Sequence, residues 1–222
     1  MWFVQENFLK DEDFIELQDL VQSLQYKSLE EDDFFNTTDY HLNEKHGRFA
    51  KGVRQRKVNR VRYNGLRHTT KIYENNIKYF GEQVRTPLYK FEQFFKDQGI
   101  EGVILHNLWI QYTDHTSVFH RHRDGGMLGY PDTECFTSIL YTHKEWNDEW
   151  GGILKISDSS SEVGLEELNE NIYDYSPKPN TMITWSRDHP HWVTPINSTN
   201  VTRSFFGACW YRDINKKRLI TL

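Results

Sequence analysis

Four residues in the second half of the chain could together hold a metal ion and an anionic ligand: His122, Asp124, His191 and Arg203. His122 and Asp124 form an H-x-D in the segment FHRHRDGG, and His191 and Arg203 follow in HPHWVTPI and VTRSFFGACW. Two histidines and one carboxylate form the facial triad that binds non-haem Fe(II). A guanidinium fork suits the carboxylate of a dicarboxylate co-substrate.

The H-x-D spacing suits a strand, where residues i and i+2 point to the same side. The third ligand must then come from another strand, which explains its distance in sequence. Three protein ligands leave room for a bidentate 2-oxo acid and for O2. His120 and His189 each lie two residues before a candidate ligand, so either could share its face. An H-x-H-x-D set would span roughly 13 Å at strand rise, too long for one ion without bending.

The elements that must position these residues can also be predicted. The spacing of Phe14, Leu17, Val21 and Leu24 predicts a helix that starts near Asp11. A second helix is predicted between Thr86–Pro87 and Gly99, with Leu88, Phe91, Phe94 and Phe95 on its apolar side. From residue 102 onward, short strands separated by turns predict a β-sandwich or barrel. We expect a single domain over 1–222, with a helical support and lid region in 1–101 and the β core in 102–222.

Composition narrows the class of protein. The chain has 222 residues, a net charge of −5, 15% aromatic residues and two cysteines. These values argue against a disulfide scaffold, a disordered chain and a general nucleic-acid or membrane binder. No signal peptide or membrane-spanning run is evident, so we expect a soluble cytoplasmic protein. The basic segment 48–71 is interpreted as a solvated lid or as a dock for an acidic polymer or peptide.

Several ordered motifs carry a family resemblance. QYTDHTSVFHRHRD is similar to QY-x-x-G-x-x-F-x-x-H-x-D, and TSILYTHKEWNDEWGGILKI contains a similar tryptophan and GG-x-L segment. PKPNTMITWSRDHPHWVTPI and RSFFGACWY resemble the segments of the distal histidine and the arginine. The chain thus resembles the iron- and 2-oxoglutarate-dependent dioxygenases, specifically the prolyl 4-hydroxylase-like group, from about Leu108 to Arg212. One departure is Asp114–His115, in place of the usual glycine.

The resemblance implies a mainly β fold with supporting α-helices around a double-stranded β-helix, a cupin-like jelly roll. It implies that His122, Asp124 and His191 hold Fe(II), and it is the main reason to prefer His191 over His189. Whether His120 or His189 assists at the metal stays open.

The resemblance also assigns the co-substrate, 2-oxoglutarate. Arg203 would form a salt bridge with its far carboxylate and would count, with the three ligands, among the catalytic residues. Tyr141 would hydrogen-bond the same carboxylate, and Tyr112, in the QY element, would lie beside the co-substrate. For each tyrosine the alternative is an aromatic of the core or of the rim.

The activity implied is hydroxylation of an unactivated C–H bond, foremost in a peptidyl-proline. It would be coupled to decarboxylation of 2-oxoglutarate to succinate and CO2, with O2 as oxidant and ascorbate as a possible reductant. The partner would be a proline-containing polypeptide, contacted by the segments 36–71 and 125–134. One alternative keeps the chemistry but takes a small molecule or a nucleic acid. Another is a non-catalytic metal-binding jelly roll, which would not need Arg203. The sequence indicates no oligomeric state.

Overall fold

The computed structural model describes residues 1–24, 27–28, 50–51, 54–57, 80–124, 133–158 and 170–213. The described strands are β1 Trp2–Gln5, β2 Lys27–Ser28, β3 Ala50–Lys51, β4 Arg54–Lys57, β5 Ile104–Thr113, β6 Val118–His122, β7 Thr133–Tyr141, β8 Leu154–Ser157, β9 Ile172–Tyr175, β10 Met182–Ser186, β11 His191–Val193 and β12 Arg203–Asp213. The helices are α1 Asp11–Ser23 and α2 Arg85–Asp97, with 3-10 turns at Glu82–Val84 and Asp148–Trp150. Most of the predicted lid and basic segment, and nearly all of 125–134, lie outside the described residues.

Both predicted helices are present, and their apolar stripes are buried as expected. In α1 the buried residues include Phe14, Leu17 and Val21, and its first turn is acidic, which suits the positive end of a helix dipole. α1 starts at Asp11, as predicted, with Lys10 as its N-cap. The second helix, α2, begins at Arg85, slightly earlier than predicted, because the preceding 3-10 turn runs directly into it. Neither helix is long and apolar enough to cross a membrane, as far as the structure describes the chain.

The strands form two sheets. The major sheet has the order β1-β10-β7-β12-β5-β4-β2, and the minor sheet has the order β3-β6-β11-β8-β9. All the described pairings are antiparallel, as in a jelly roll. The region 1–101 therefore supplies strands to both sheets as well as helices. The apolar residues Trp2, Phe3 and Val4 indicate the first of these strands, β1, whereas β2, β3 and β4 were not predicted.

The major sheet is covered on both faces. One face packs on α1 and α2 through a large apolar cluster that includes Leu17, Phe91 and Trp210. The other face meets the minor sheet through a second cluster made of Ile139, Tyr141, Leu154, Ile156, Ile183, Trp185 and Phe205. This second, inter-sheet face matters most for function, because residues 137, 141 and 203 all lie on it by strand register.

Candidate active site

Two histidines of the minor sheet lie directly opposite each other. His122 is the last residue of β6 and His191 is the first of β11, and the two are register partners with ring centroids 4.3 Å apart. The Nδ1 of His122 is 2.6 Å from the carbonyl oxygen of His120, and that of His191 is 3.0 Å from the carbonyl oxygen of His189. An Nδ1–H that donates to the carbonyl leaves the Nε2 lone pair of each ring free to bind a metal.

Asp124 completes a cluster with the two imidazoles. Its Oδ1 lies 3.7 Å from Nε2 of His122 and 3.5 Å from Nε2 of His191. The ligand atoms of the three residues all lie within 4.8 Å of one another. The H-x-D argument assumed that Asp124 lies in the same strand as His122. In the structure Asp124 lies two residues beyond the end of β6. The chain there still turns the carboxylate towards both rings.

The protonation states suit a divalent cation. Burial lowers the pKa of His122, and the nearby His191 lowers it further. Burial alone would raise the pKa of Asp124, but His191, His122 and Arg187 together hold it well below its usual value. A neutral imidazole and an ionised carboxylate are the forms that bind a metal, so little proton release would be needed here.

The neighbouring histidines are placed elsewhere. His189 has both ring nitrogens engaged: Nε2 lies 2.5 Å from the amino group of Met1, and Nδ1 lies 3.0 Å from the carbonyl oxygen of Ser157. His120 is exposed and is not part of the metal-ligand cluster found among the described residues. The structure therefore brings His191, and neither of these two, to Asp124.

Arg203 lies buried on the inter-sheet face, at the start of β12. Its Nη1 donates to the carbonyl oxygen of Gly152 at 2.9 Å, and its Nε donates to Oγ1 of Thr113 at 3.3 Å. Gly152 has a φ of 66°, and a Cβ there would meet the Trp146 ring at 2.8 Å, so glycine is needed at this turn. No carboxylate pairs with Arg203 in the described part of the chain, and burial lowers its pKa. A buried cation without an anion indicates a binding site for an anionic ligand.

Tyr141 lies on the same face as Arg203. It pairs with Phe205, two residues beyond Arg203, and alternate strand residues share a side. The side chain is fully buried, and its hydroxyl has no hydrogen-bond partner among the described residues. Burial raises the pKa of Tyr141 to about 12, with Arg203 opposing the shift, so the hydroxyl remains a hydrogen-bond donor. Such a donor beside a buried guanidinium suits a carboxylate.

Tyr112 requires a correction. Its register partner is Ser204, whereas the partner of Arg203 is Thr113. Residues adjacent in a strand point to opposite faces, so Tyr112 lies on the helix-covered side of the major sheet. There it lines a cavity of about 820 Å³ with Val21, Thr142 and Ser204. The structure does not place Tyr112 beside Arg203, and a position beside the co-substrate is not supported.

Two contacts of Asp124 were not predicted. Thr137, on β7, donates from Oγ1 to Oδ2 of Asp124 at 2.5 Å. The guanidinium of Arg187 donates to the backbone carbonyl of Asp124. A threonine within a strand and an arginine in a turn carry no sequence signal for these roles, because both contacts depend on how the two sheets pack.

The residues fit both Fe(II) and 2-oxoglutarate. Two imidazole nitrogens and one carboxylate oxygen converge as a facial triad requires. The buried Arg203 provides a cation for a far carboxylate, and the buried hydroxyl of Tyr141 provides a hydrogen-bond donor. Part of the remaining wall is apolar and includes Trp185, whose ring lies edge-on to His191 at 5.0 Å. Apolar walls limit the access of water to the metal.

The comparisons with known proteins agree with this chemistry. Residues 108–212 match the family described as the 2OG-Fe(II) oxygenase superfamily. No curated protein sequence matches the chain. One similar solved structure is a prolyl hydroxylase from Trichoplax adhaerens in complex with a hypoxia inducible factor oxygen degradation domain peptide fragment. Its TM-score is 0.57 at 16% identity, and the match covers 100% of this chain and 87% of that one.

Two further structures share the fold. The viral collagen prolyl hydroxylase of Paramecium Bursaria Chlorella virus-1, in complex with 2OG, has a TM-score of 0.51 at 11% identity, covering 95% of this chain and 96% of that one. The non-heme alpha ketoglutarate dependent epimerase SnoN from nogalamycin biosynthesis has a TM-score of 0.58 at 8% identity, covering 96% and 78%. The chain thus has the jelly-roll fold of these enzymes, and residues 108–212, nearly half of it, are similar to the 2OG-Fe(II) oxygenase superfamily.

Proposed function

We propose that this enzyme hydroxylates an unactivated C–H bond of a proline residue in a polypeptide, with conversion of 2-oxoglutarate to succinate and CO2. The observation that carries the oxygenase chemistry is the combination of the His122–Asp124–His191 cluster with the buried Arg203, which has no carboxylate partner among the described residues. The proline substrate is supported by the fold, which two prolyl hydroxylases share.

Each residue has a defined part in this proposal. His122, Asp124 and His191 bind the metal through one atom each and leave the other positions open. Iron, when bound, would supply the redox chemistry by which O2 and 2-oxoglutarate yield succinate, CO2 and a hydroxylated product. Arg203 and Tyr141 hold the far carboxylate and so orient the 2-oxo acid group toward the metal. The apolar inter-sheet wall excludes water and protects the reaction from side products.

The test is a coupled assay on a panel of proline-containing peptides with Fe(II), 2-oxoglutarate and ascorbate. We expect succinate together with a mass gain of one oxygen atom on a peptide. His191→Ala should abolish both products, and the matched His189→Ala variant should retain them. Succinate without any modified peptide would support the oxygenase site and contradict the proline substrate.

A small-molecule substrate is the second candidate. It is favoured by the shared fold of the epimerase from nogalamycin biosynthesis, which shows that this jelly roll is compatible with a different reaction. The two candidates are separated by the dependence of 2-oxoglutarate turnover on added substrate. Stimulation by peptides but not by cyclic small molecules would favour the first, and the reverse result would favour the second.

A further inference from the structure

The orientation of the Asp124 carboxylate is set from the opposite sheet. Asp124 follows β6 of the minor sheet, whereas Thr137 lies in β7 of the major sheet. The Thr137 hydroxyl is buried and donates to Oδ2 at 2.5 Å. The other oxygen, Oδ1, is the one that faces the Nε2 atoms of His122 and His191. The two oxygens of one carboxylate thus have separate partners.

The backbone of Asp124 is held independently. The guanidinium of Arg187 donates to the carbonyl oxygen of Asp124, and the backbone N–H of Arg187 donates to the carbonyl oxygen of Cys135 at 2.9 Å. The main chain at Asp124 is therefore tied to β7. These backbone contacts do not fix rotation of the carboxylate about its own side-chain bonds, and the hydrogen bond from the Thr137 hydroxyl restricts that rotation.

We propose that Thr137 is a positioning residue that keeps Asp124 a one-oxygen ligand and so sets how many metal positions stay open. The inference rests on the proposed metal site. If the carboxylate bound through both oxygens, the three residues together would occupy four of the six positions of an octahedral ion instead of three. The two positions left could not hold a chelating 2-oxo acid and O2 together. A hydrogen bond to Oδ2 disfavours that binding mode because the second oxygen would have to give up its donor.

The test compares Thr137→Val, which keeps the shape but removes the donor, with Thr137→Ser, which keeps the donor. Co(II) replaces Fe(II), so that the d–d absorption spectrum reports the coordination and no turnover is needed. We expect Thr137→Val to bind Co(II) with an altered spectrum and to bind 2-oxoglutarate about tenfold more weakly, because a hydrogen bond to a charged group, about 1.5–3 kcal/mol, no longer favours the one-oxygen mode of Asp124. Thr137→Ser should stay within about twofold of the wild type. An unchanged spectrum and unchanged 2-oxoglutarate affinity in Thr137→Val would overturn the proposal.

A measurement on the wild-type protein covers the case in which Thr137→Val does not fold. Infrared difference spectra on metal binding separate one-oxygen from two-oxygen carboxylates by the splitting of their stretching bands. A wide splitting for the Asp124 band, identified by its loss in Asp124→Ala, is expected, and a narrow one would refute the role of Thr137. If Asp124→Ala binds Co(II) as the wild type does, the metal site itself is wrong, which is a different failure.

Discussion

Replacement of Arg203 by methionine should separate co-substrate binding from folding. The guanidinium donates two hydrogen bonds, to Gly152 and Thr113, which are worth about 1.5–3 kcal/mol each for a charged donor. Against this stands the cost of burying an unpaired cation, on the order of several kcal/mol. Because the two terms are of similar size, we expect the ligand-free Arg203→Met variant to unfold within a few degrees of the wild type.

The loss should appear when 2-oxoglutarate is added. Removal of one partner of a buried charge pair costs about 2–5 kcal/mol of binding, which corresponds to a Kd at least about 30-fold higher. At a concentration near 100 Kd of the wild type, the ligand stabilises the wild type by about 2.7 kcal/mol. For a chain of this size that is a rise in Tm of about 5–10 °C, and most of it should be missing in Arg203→Met.

The assay measures thermal unfolding in the presence of Mn(II) under anaerobic conditions. It compares 2-oxoglutarate with 2-oxopentanoate, in which a methyl group replaces the far carboxylate. The wild type should prefer 2-oxoglutarate strongly, and Arg203→Met should treat the two ligands alike. Arg212→Met is a matched control, because Arg212 lies on the same strand but pairs with Glu134. If Arg203→Met keeps the wild-type preference, Arg203 does not bind the far carboxylate and this interpretation of the buried cation is wrong.

Three further predictions follow from individual contacts. Tyr141→Phe removes a buried hydroxyl that has no hydrogen-bond partner in the described part of the chain. Thermal unfolding should therefore show unchanged or slightly higher stability, while calorimetry should show 2-oxoglutarate binding about tenfold more weakly. His191→Ala should weaken Co(II) binding by more than about 100-fold in a titration, whereas His189→Ala should leave it intact, because the His189 ring nitrogens are engaged elsewhere. Burial lowers the pKa of His143 from 6.5 to about 4. The contribution of the neutral ring to the free energy of unfolding is therefore complete above pH 6.5 and is lost as the pH falls towards 4. Denaturant unfolding should show a loss of about 3 kcal/mol over that interval that is absent in His143→Gln.

Local periodicity was enough to predict the two helices and the β-rich second half. The apolar stripes of α1 and α2 repeat at helical spacing, and the structure buries them. The pairing of distant segments could not be predicted in this way. β1 joins the major sheet beside β10, and β3 joins the minor sheet beside β6, through contacts that leave no local pattern. The early start of α2 likewise depends on a preceding 3-10 turn that has no distinct sequence signature.

The residues of the candidate site also differ in how far the sequence alone could place them. His122, Asp124 and His191 were chosen on residue type, spacing and resemblance, and the structure brings them together. Tyr112 was misplaced because a shift of one residue along a strand moves a side chain to the other face of the sheet. A motif specifies the order of residues, but only the strand register decides which of two neighbours points inward.

The site depends on the packing of one sheet against the other. The minor sheet supplies the two imidazoles, and the major sheet supplies Tyr141, Arg203 and the hydroxyl that orients Asp124. Neither sheet could bind the metal and the co-substrate alone, so the functional residues must be spread along the sequence. Substitutions of the aliphatic residues in the inter-sheet cluster should therefore weaken 2-oxoglutarate binding more than metal binding. The imidazoles are paired within one sheet, whereas Arg203 lies on the other sheet, so its position relative to the metal ligands depends on how the two sheets pack.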